Sequence, residues 1–117
     1  MNDLTRRRCV PCEGGVPPLD AQAIAGLITQ LGKRWKLVRE GKALEASFEF
    51  KNYYPTTAFV NAVAWIAHRE DHHPDIAFGY RQCTVTYSTH AANGLTENDF
   101  ICAAKIDALL EDAAPAG

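Results

Sequence analysis

Leu44-Glu45-Ala46-Ser47-Phe48-Glu49-Phe50 alternates apolar and polar side chains without a break. Successive strand side chains point to opposite faces, so this segment buries one face and wets the other. That is the pattern of an antiparallel sheet covered on a single side. Just upstream, Trp35-Lys36-Leu37-Val38-Arg39 supplies a partner arm, with the turn near Glu40-Gly41. Residues 35–50 therefore read as a hairpin.

A second hairpin follows the same logic over 76–80 and 82–89. Val85 and Tyr87 alternate there with Thr84, Thr86 and Ser88. Helices account for what lies between and around the hairpins. Over 19–31, Ile24, Leu27, Ile28 and Leu31 make one apolar stripe, Asp20 is placed to cap the start and Gly32 to follow the end. From Pro55, suited to a first helical turn, to about Asp71, Phe59, Val63, Ile66 and Ala67 form a buried face, while Asn61, Trp65, His68 and His72 project from the other side. Pro74 is expected to stop this helix and turn His73 away from the core. Thr96-Glu97-Asn98-Asp99 has the form of a capping box, and a last helix runs to about Glu111, burying Phe100, Ile106, Leu109 and Leu110.

The order is α-β-β-α-β-β-α. The fold class is α+β, a four-stranded antiparallel sheet with helices packed on one face. Residues 1–18, with the breaker-rich Glu13-Gly14-Gly15-Val16-Pro17-Pro18, read as a flexible leader. Residues 19–111 are a single domain, and 112–117 a frayed tail. Four strands leave open edges, so pairing with a second copy is expected.

Composition narrows the function. The chain has 117 residues, a formal net charge of −2, 47% hydrophobic and 22% charged residues. That balance gives no electrostatic footprint for nucleic acid or an anionic membrane. Arg6-Arg7-Arg8 is a short solvated run. No apolar run has the length of a membrane span, and the N-terminus lacks the apolar core of a signal peptide. The expected location is the cytoplasm, where Cys9, Cys12, Cys83 and Cys102 are reduced. Cys9-Val10-Pro11-Cys12 is a C-x-x-C pair without a second pair to complete a zinc site, and it reads as two thiols in the leader.

Chemistry concentrates in His68-Arg69-Glu70-Asp71-His72-His73-Pro74-Asp75, which holds three of the four histidines. Imidazoles titrate near neutral pH, so such a cluster suits proton transfer or metal binding. His68 and His72 have the spacing of zincin ligands, but Arg69 stands where that motif needs glutamate. There is no nucleophile elbow and no glycine-rich phosphate loop. Proton shuffling on a bound small molecule, with His72, His73 and the strand-end His90 converging, fits this inventory. The bland alternative is a solvated helix C-terminus that favours positive charge.

Glu70-Asp71-His72-His73-Pro74-Asp75, then Ser88-Thr89-His90, then Gly94-Leu95-Thr96-Glu97-Asn98-Asp99-Phe100, resembles the pterin-4a-carbinolamine dehydratase family. The likeness spans about 19–110, including Trp35, Phe48, Phe50 and Ala58-Phe59-Val60-Asn61. It implies an α+β sandwich that assembles as a homodimer or homotetramer. It implies dehydration of 4a-hydroxytetrahydrobiopterin to quinonoid dihydrobiopterin, with no metal or organic cofactor and a functional link to an aromatic amino acid hydroxylase. The family's catalytic histidines fall on His72, His73 and His90. His73 would be the main base at the pterin N5, with His72 and His90 assisting loss of the 4a-hydroxyl. Asp71, His72, His73, Pro74, Thr89, His90, Ala91 and Ala92 would bind the pterin, with Asp71 orienting an imidazole. Family members often carry an acidic residue where this chain has His68, which leaves any role there open. Some relatives imply a different role, a non-catalytic pterin-binding or assembly module, including one linked to molybdopterin.

Overall fold

The computed structural model describes residues 3–11 and 16–111. Three helices and four strands follow the expected order: α1 (Ala21–Ile28), β1 (Lys36–Val38), β2 (Ala43–Glu49), α2 (Tyr53–Glu70), β3 (Asp75–Phe78), β4 (Gln82–Tyr87) and α3 (Glu97–Glu111). The sheet is wholly antiparallel in the order β1-β2-β4-β3. Leu44 pairs with Tyr87, Ala46 with Val85 and Phe48 with Cys83, so all six side chains share one face. That face is buried against Ile24 of α1, Phe59 and Val63 of α2, and Phe100 and Ile106 of α3. The α+β architecture with helices on one face is therefore observed.

Local chemistry explains the boundaries. Asp20 caps α1 by accepting from the Ala23 N–H at 2.8 Å. Regular helix ends earlier than its apolar stripe, at Ile28, and the chain continues to Leu31 through single turns. Gly32 is not a left-handed cap, as Gly41 is the only described glycine with positive φ. Instead its N–H donates to Asp107 of α3, whose other oxygen accepts from the Trp35 indole at 2.9 Å. Trp35 is thereby buried just before β1 rather than within it. In the β1–β2 turn Arg39 and Glu40 both take left-handed backbone, as does Gly41. Hairpin geometry demands that twist, at roughly 1 kcal/mol for each non-glycine residue.

Asn52 caps α2. The helix ends at Asp71 as expected, but what stops it is Asp71 itself and not Pro74: Asp71 adopts φ 53°, and the His72 N–H reaches back to the Ala67 carbonyl at 3.1 Å. This left-handed closure reverses the chain and throws His72 out of the helix direction.

The expectation of a flexible leader differs from what is seen over residues 3–11. Asp3–Arg6 forms a turn of 3-10 helix beside α3, with Leu4 only 1% exposed in the core. Lys105 of α3 donates to the Thr5 carbonyl at 2.9 Å. Residues 7–11 continue as an extended strap toward the C-terminal end of α2. Cys12, and with it half of the C-x-x-C pair, lies outside the described residues, as does the expected tail at 112–117. Among the described residues no helix is long and apolar enough to cross a membrane.

Candidate active site

Three segments meet at one end of the sheet: the α2–β3 connection, the segment after β4, and the first turn of α3. Between them lies an open cleft of about 280 Å³, walled by Asp71, His72, His73, Ser88, Thr89, His90, Ala91 and Asn98, and by Val10 and Pro11 of the strap. The three expected histidines thus border a common space although the first and last are 18 positions apart in sequence. His73 and His90 are exposed to it, whereas His72 is mostly covered, its side chain 13% exposed.

His72 owes its placement to buried groups. Its ring stacks on Tyr87, with centroids 5.2 Å apart and planes 19° from parallel. The Tyr87 hydroxyl donates to the His72 carbonyl at 3.1 Å. Burial pushes the Tyr87 pKa far above the ordinary phenol value, so this hydroxyl stays a donor. The His72 Nε2 lies 2.6 Å from Oδ1 of Asp99. An ionised carboxylate can only accept, so Nε2 carries the proton.

Asp99 is fully buried. A buried carboxylate is tolerated only when its lone pairs are met. Besides His72, it accepts from the Thr89 hydroxyl at 2.8 Å and the Thr96 N–H at 2.9 Å. The second contact is half of the expected capping box. The other half is diverted, for the Thr96 hydroxyl bonds Thr89 at 2.8 Å. One aspartate therefore both starts α3 and holds an imidazole. Burial works to lower the His72 pKa, but the hydrogen bond and charge of Asp99 outweigh it and the net shift is upward.

Asp71 was expected to orient an imidazole. It lines the cleft, but the hydrogen bond to an imidazole comes from Asp99, and Asp71 acts on His72 as a weaker nearby charge. Thr89 and Ala91 border the cleft. Ala92 is buried outside it, and Pro74 faces an adjoining hollow with Ala64, His68 and Ile76. His68 is exposed on α2 with its ring 5.4 Å from that of Trp65. Among the described residues, no group of three or more His, Cys, Asp or Glu side chains is placed to hold a metal ion.

Sequence reasoning missed Asp99, Asn98, Val10 and Pro11. The one available signal was aspartate in place of the usual glutamate or glutamine in Thr96-Glu97-Asn98-Asp99. The shorter side chain stays close to the helix start, where Thr89 and His72 reach it. For Val10 and Pro11 no periodic pattern existed to find.

A profile of the family described as pterin 4 alpha carbinolamine dehydratase matches residues 17–109. A Nitrosomonas eutropha protein is 58% identical over 108 residues, covering 92% of this chain and 94% of its own, and carries the provisional name pterin-4-alpha-carbinolamine dehydratase. A Legionella pneumophila protein with the same provisional name is 50% identical over 111 residues, covering 95% and 98%. The crystal structure of a transcriptional coactivator/pterin dehydratase from Brucella melitensis superposes with a TM-score of 0.74 at 32% identity, over 79% of this chain and 97% of that one. A pterin dehydratase-like protein, identified as a RuBisCO assembly factor in the alpha-carboxysome, has a TM-score of 0.56 at 29% identity, over 64% and 87%. On its fold, its cleft and these relatives, the chain belongs to the pterin 4 alpha carbinolamine dehydratase family.

Proposed function

We propose that the chain dehydrates a 4a-hydroxytetrahydropterin to the quinonoid dihydropterin by metal-free histidine acid/base catalysis. The observation that carries this reading is the meeting of His73 and His90, both exposed, with the anchored His72 around one cleft. The reaction breaks the N5–H and C4a–OH bonds, forms a C4a=N5 double bond and releases water. His73 takes the N5 proton as base. The departing hydroxyl needs a proton, and His72 and His90 supply it. His72 suits this role because Asp99 favours its protonated form. Positioned proton transfer of this kind contributes about 10²–10⁴-fold. Asp71, Thr89 and Ala91 would shape the pterin pocket, and the product would be reduced again for an aromatic amino acid hydroxylase. A homodimer or homotetramer is the proposed assembly.

The test is the decay of 4a-hydroxytetrahydropterin, generated by a hydroxylase, with and without the protein at slightly alkaline pH. Faster decay that is lost in His73→Ala and unaffected by a chelator supports the reading. No acceleration overturns it. That outcome would favour a non-catalytic pterin-binding or assembly role, the reading to which the likeness to an assembly factor points. Acceleration abolished by the chelator would overturn the metal-free step.

A further inference from the structure

Two thiols that the proposed chemistry does not use face each other beside the cleft. Cys9 lies on the strap and is half-buried; Cys102 lies on α3 and is fully buried. Their Sγ atoms are 3.6 Å apart. The strap is otherwise held by reversible contacts alone. The Cys9 N–H donates to Glu70 at 2.8 Å, and Arg8 pairs with the same carboxylate at 3.0 Å. Asn98 accepts from the Val10 N–H at 3.1 Å and donates to the Val10 carbonyl at 2.7 Å. Immediately beyond Cys9, Val10 and Pro11 form one wall of the cleft.

We propose that Cys9 and Cys102 are a peroxide-sensitive modification site, whose disulfide ties the cleft-walling strap covalently to α3. A disulfide needs sulfurs about 2.05 Å apart, so the pair must close by about 1.5 Å. Cys9 lies outside regular helix and strand, so closing the gap breaks no helical or sheet hydrogen bond. Disulfides in reducing compartments are typically transient and redox-sensing, which is the use proposed here.

The chemistry balances with a hydroperoxide as oxidant. The Cys9 sulfur attacks one peroxide oxygen and the O–O bond breaks. The hydroxide released takes the thiol proton and leaves as water, and Cys9 becomes a sulfenic acid. The Cys102 sulfur then attacks the Cys9 sulfur. The S–S bond forms, and the sulfenic hydroxyl leaves with the Cys102 proton as a second water. Two electrons pass from the thiol pair to the peroxide. Cys9 is the partly exposed member of the pair, open to a small oxidant, and the fully buried Cys102 lies directly behind it to resolve the sulfenic acid.

The test treats the reduced full chain, wild type and Cys12→Ser, with hydrogen peroxide. It reads intact mass, peptide linkage and amide exchange. The expected result in both chains is loss of the mass of two hydrogens, a Cys9–Cys102 linked peptide pair, and reversal by a dithiol. Exchange at the Cys9 and Val10 amides should slow by about tenfold in the oxidised form. Four outcomes would each overturn the proposal: Cys9 gaining oxygen with no cross-link, a link to Cys83, a Cys9–Cys12 link in the wild type, or a disulfide that leaves the two amides exchanging as before.

Discussion

Nε2 of His72 and Oδ1 of Asp99 stand 2.6 Å apart in a setting where the carboxylate is fully buried and the imidazole nearly so. The pair fixes the tautomer, the ring direction and the charge of His72 together. In Asp99→Asn the charge is lost while the burial remains. The His72 pKa should then fall from above its ordinary 6.5 to below it. Proton-detected titration of the imidazole reads this directly. The stability consequence has a definite sign. A histidine whose folded pKa is raised contributes stability that is fully present below pH 6.5 and is lost as pH rises through the folded value. Denaturant melts of wild type and Asp99→Asn should therefore differ most on the acid side of that window and converge on the alkaline side. If protonated His72 serves the leaving hydroxyl, turnover should fall about tenfold for each unit its pKa drops below the assay pH. An unchanged His72 titration in the variant would remove Asp99 from this role.

Glu70 holds the strap through a carboxylate whose side chain is 4% exposed. Burial opposes its ionised form, but the Cys9 N–H, Lys105 and Arg8 overcome this and lower its pKa below 4.5. A depressed carboxylate contributes stability above its unfolded pKa and loses it as pH falls through the folded value. Glu70→Gln should cost about 1–2 kcal/mol at neutral pH. The gap from wild type should be flat above pH 4.5 and shrink below it. A gap independent of pH would mean that Glu70 acts through shape and not charge.

Much of the fold was legible because its signals are periodic and local. The alternation from Leu44 to Phe50 named the buried face of β2 and, through the register with Cys83, Val85 and Tyr87, that of β4. Phe59, Val63 and Ala67 named the face of α2. The three histidines were legible as chemistry because imidazoles cluster rarely. The support beneath them was not. Asp99 looks like a helix cap in sequence, and nothing local shows that residues 27 positions away share its carboxylate. The N-terminal segment buries Leu4, a single apolar side chain shortly before Arg6-Arg7-Arg8, so no periodic pattern marks it as core. Asp71 ended α2 earlier than Pro74 because an aspartate can take the left-handed backbone, a choice that sequence signals only weakly.

Leu4 gives the sharpest check that residues 3–11 belong to the domain. It is 1% exposed within the main hydrophobic cluster. Truncating a buried leucine loses transfer free energy and leaves a cavity, together about 2–4 kcal/mol. Leu4→Ala should lower stability by that amount in urea melts. A change under about 0.5 kcal/mol, ordinary for an exposed site, would return the segment to a mere leader.

Gly94 tests how the cleft is braced from behind. Its N–H and carbonyl bridge Thr89, whose hydroxyl reaches Asp99. A Cβ at Gly94 would lie 2.9 Å from the Cβ of Pro18. That atom belongs to a rigid ring, on a segment pinned by the Leu19 N–H to the Leu95 carbonyl at 2.8 Å, so it yields poorly. Gly94→Ala should therefore destabilise the protein by about 1–2 kcal/mol, as overpacking does. Because the strain enters beside Thr89, the His72 resonance should shift although residue 94 does not touch it. Relieving the contact from the other side with Pro18→Gly in the Gly94→Ala background should restore the resonance. Stability should recover less fully, since glycine adds unfolded-chain entropy. If the single variant leaves both stability and the resonance unchanged, the close approach at Pro18 does not brace the site.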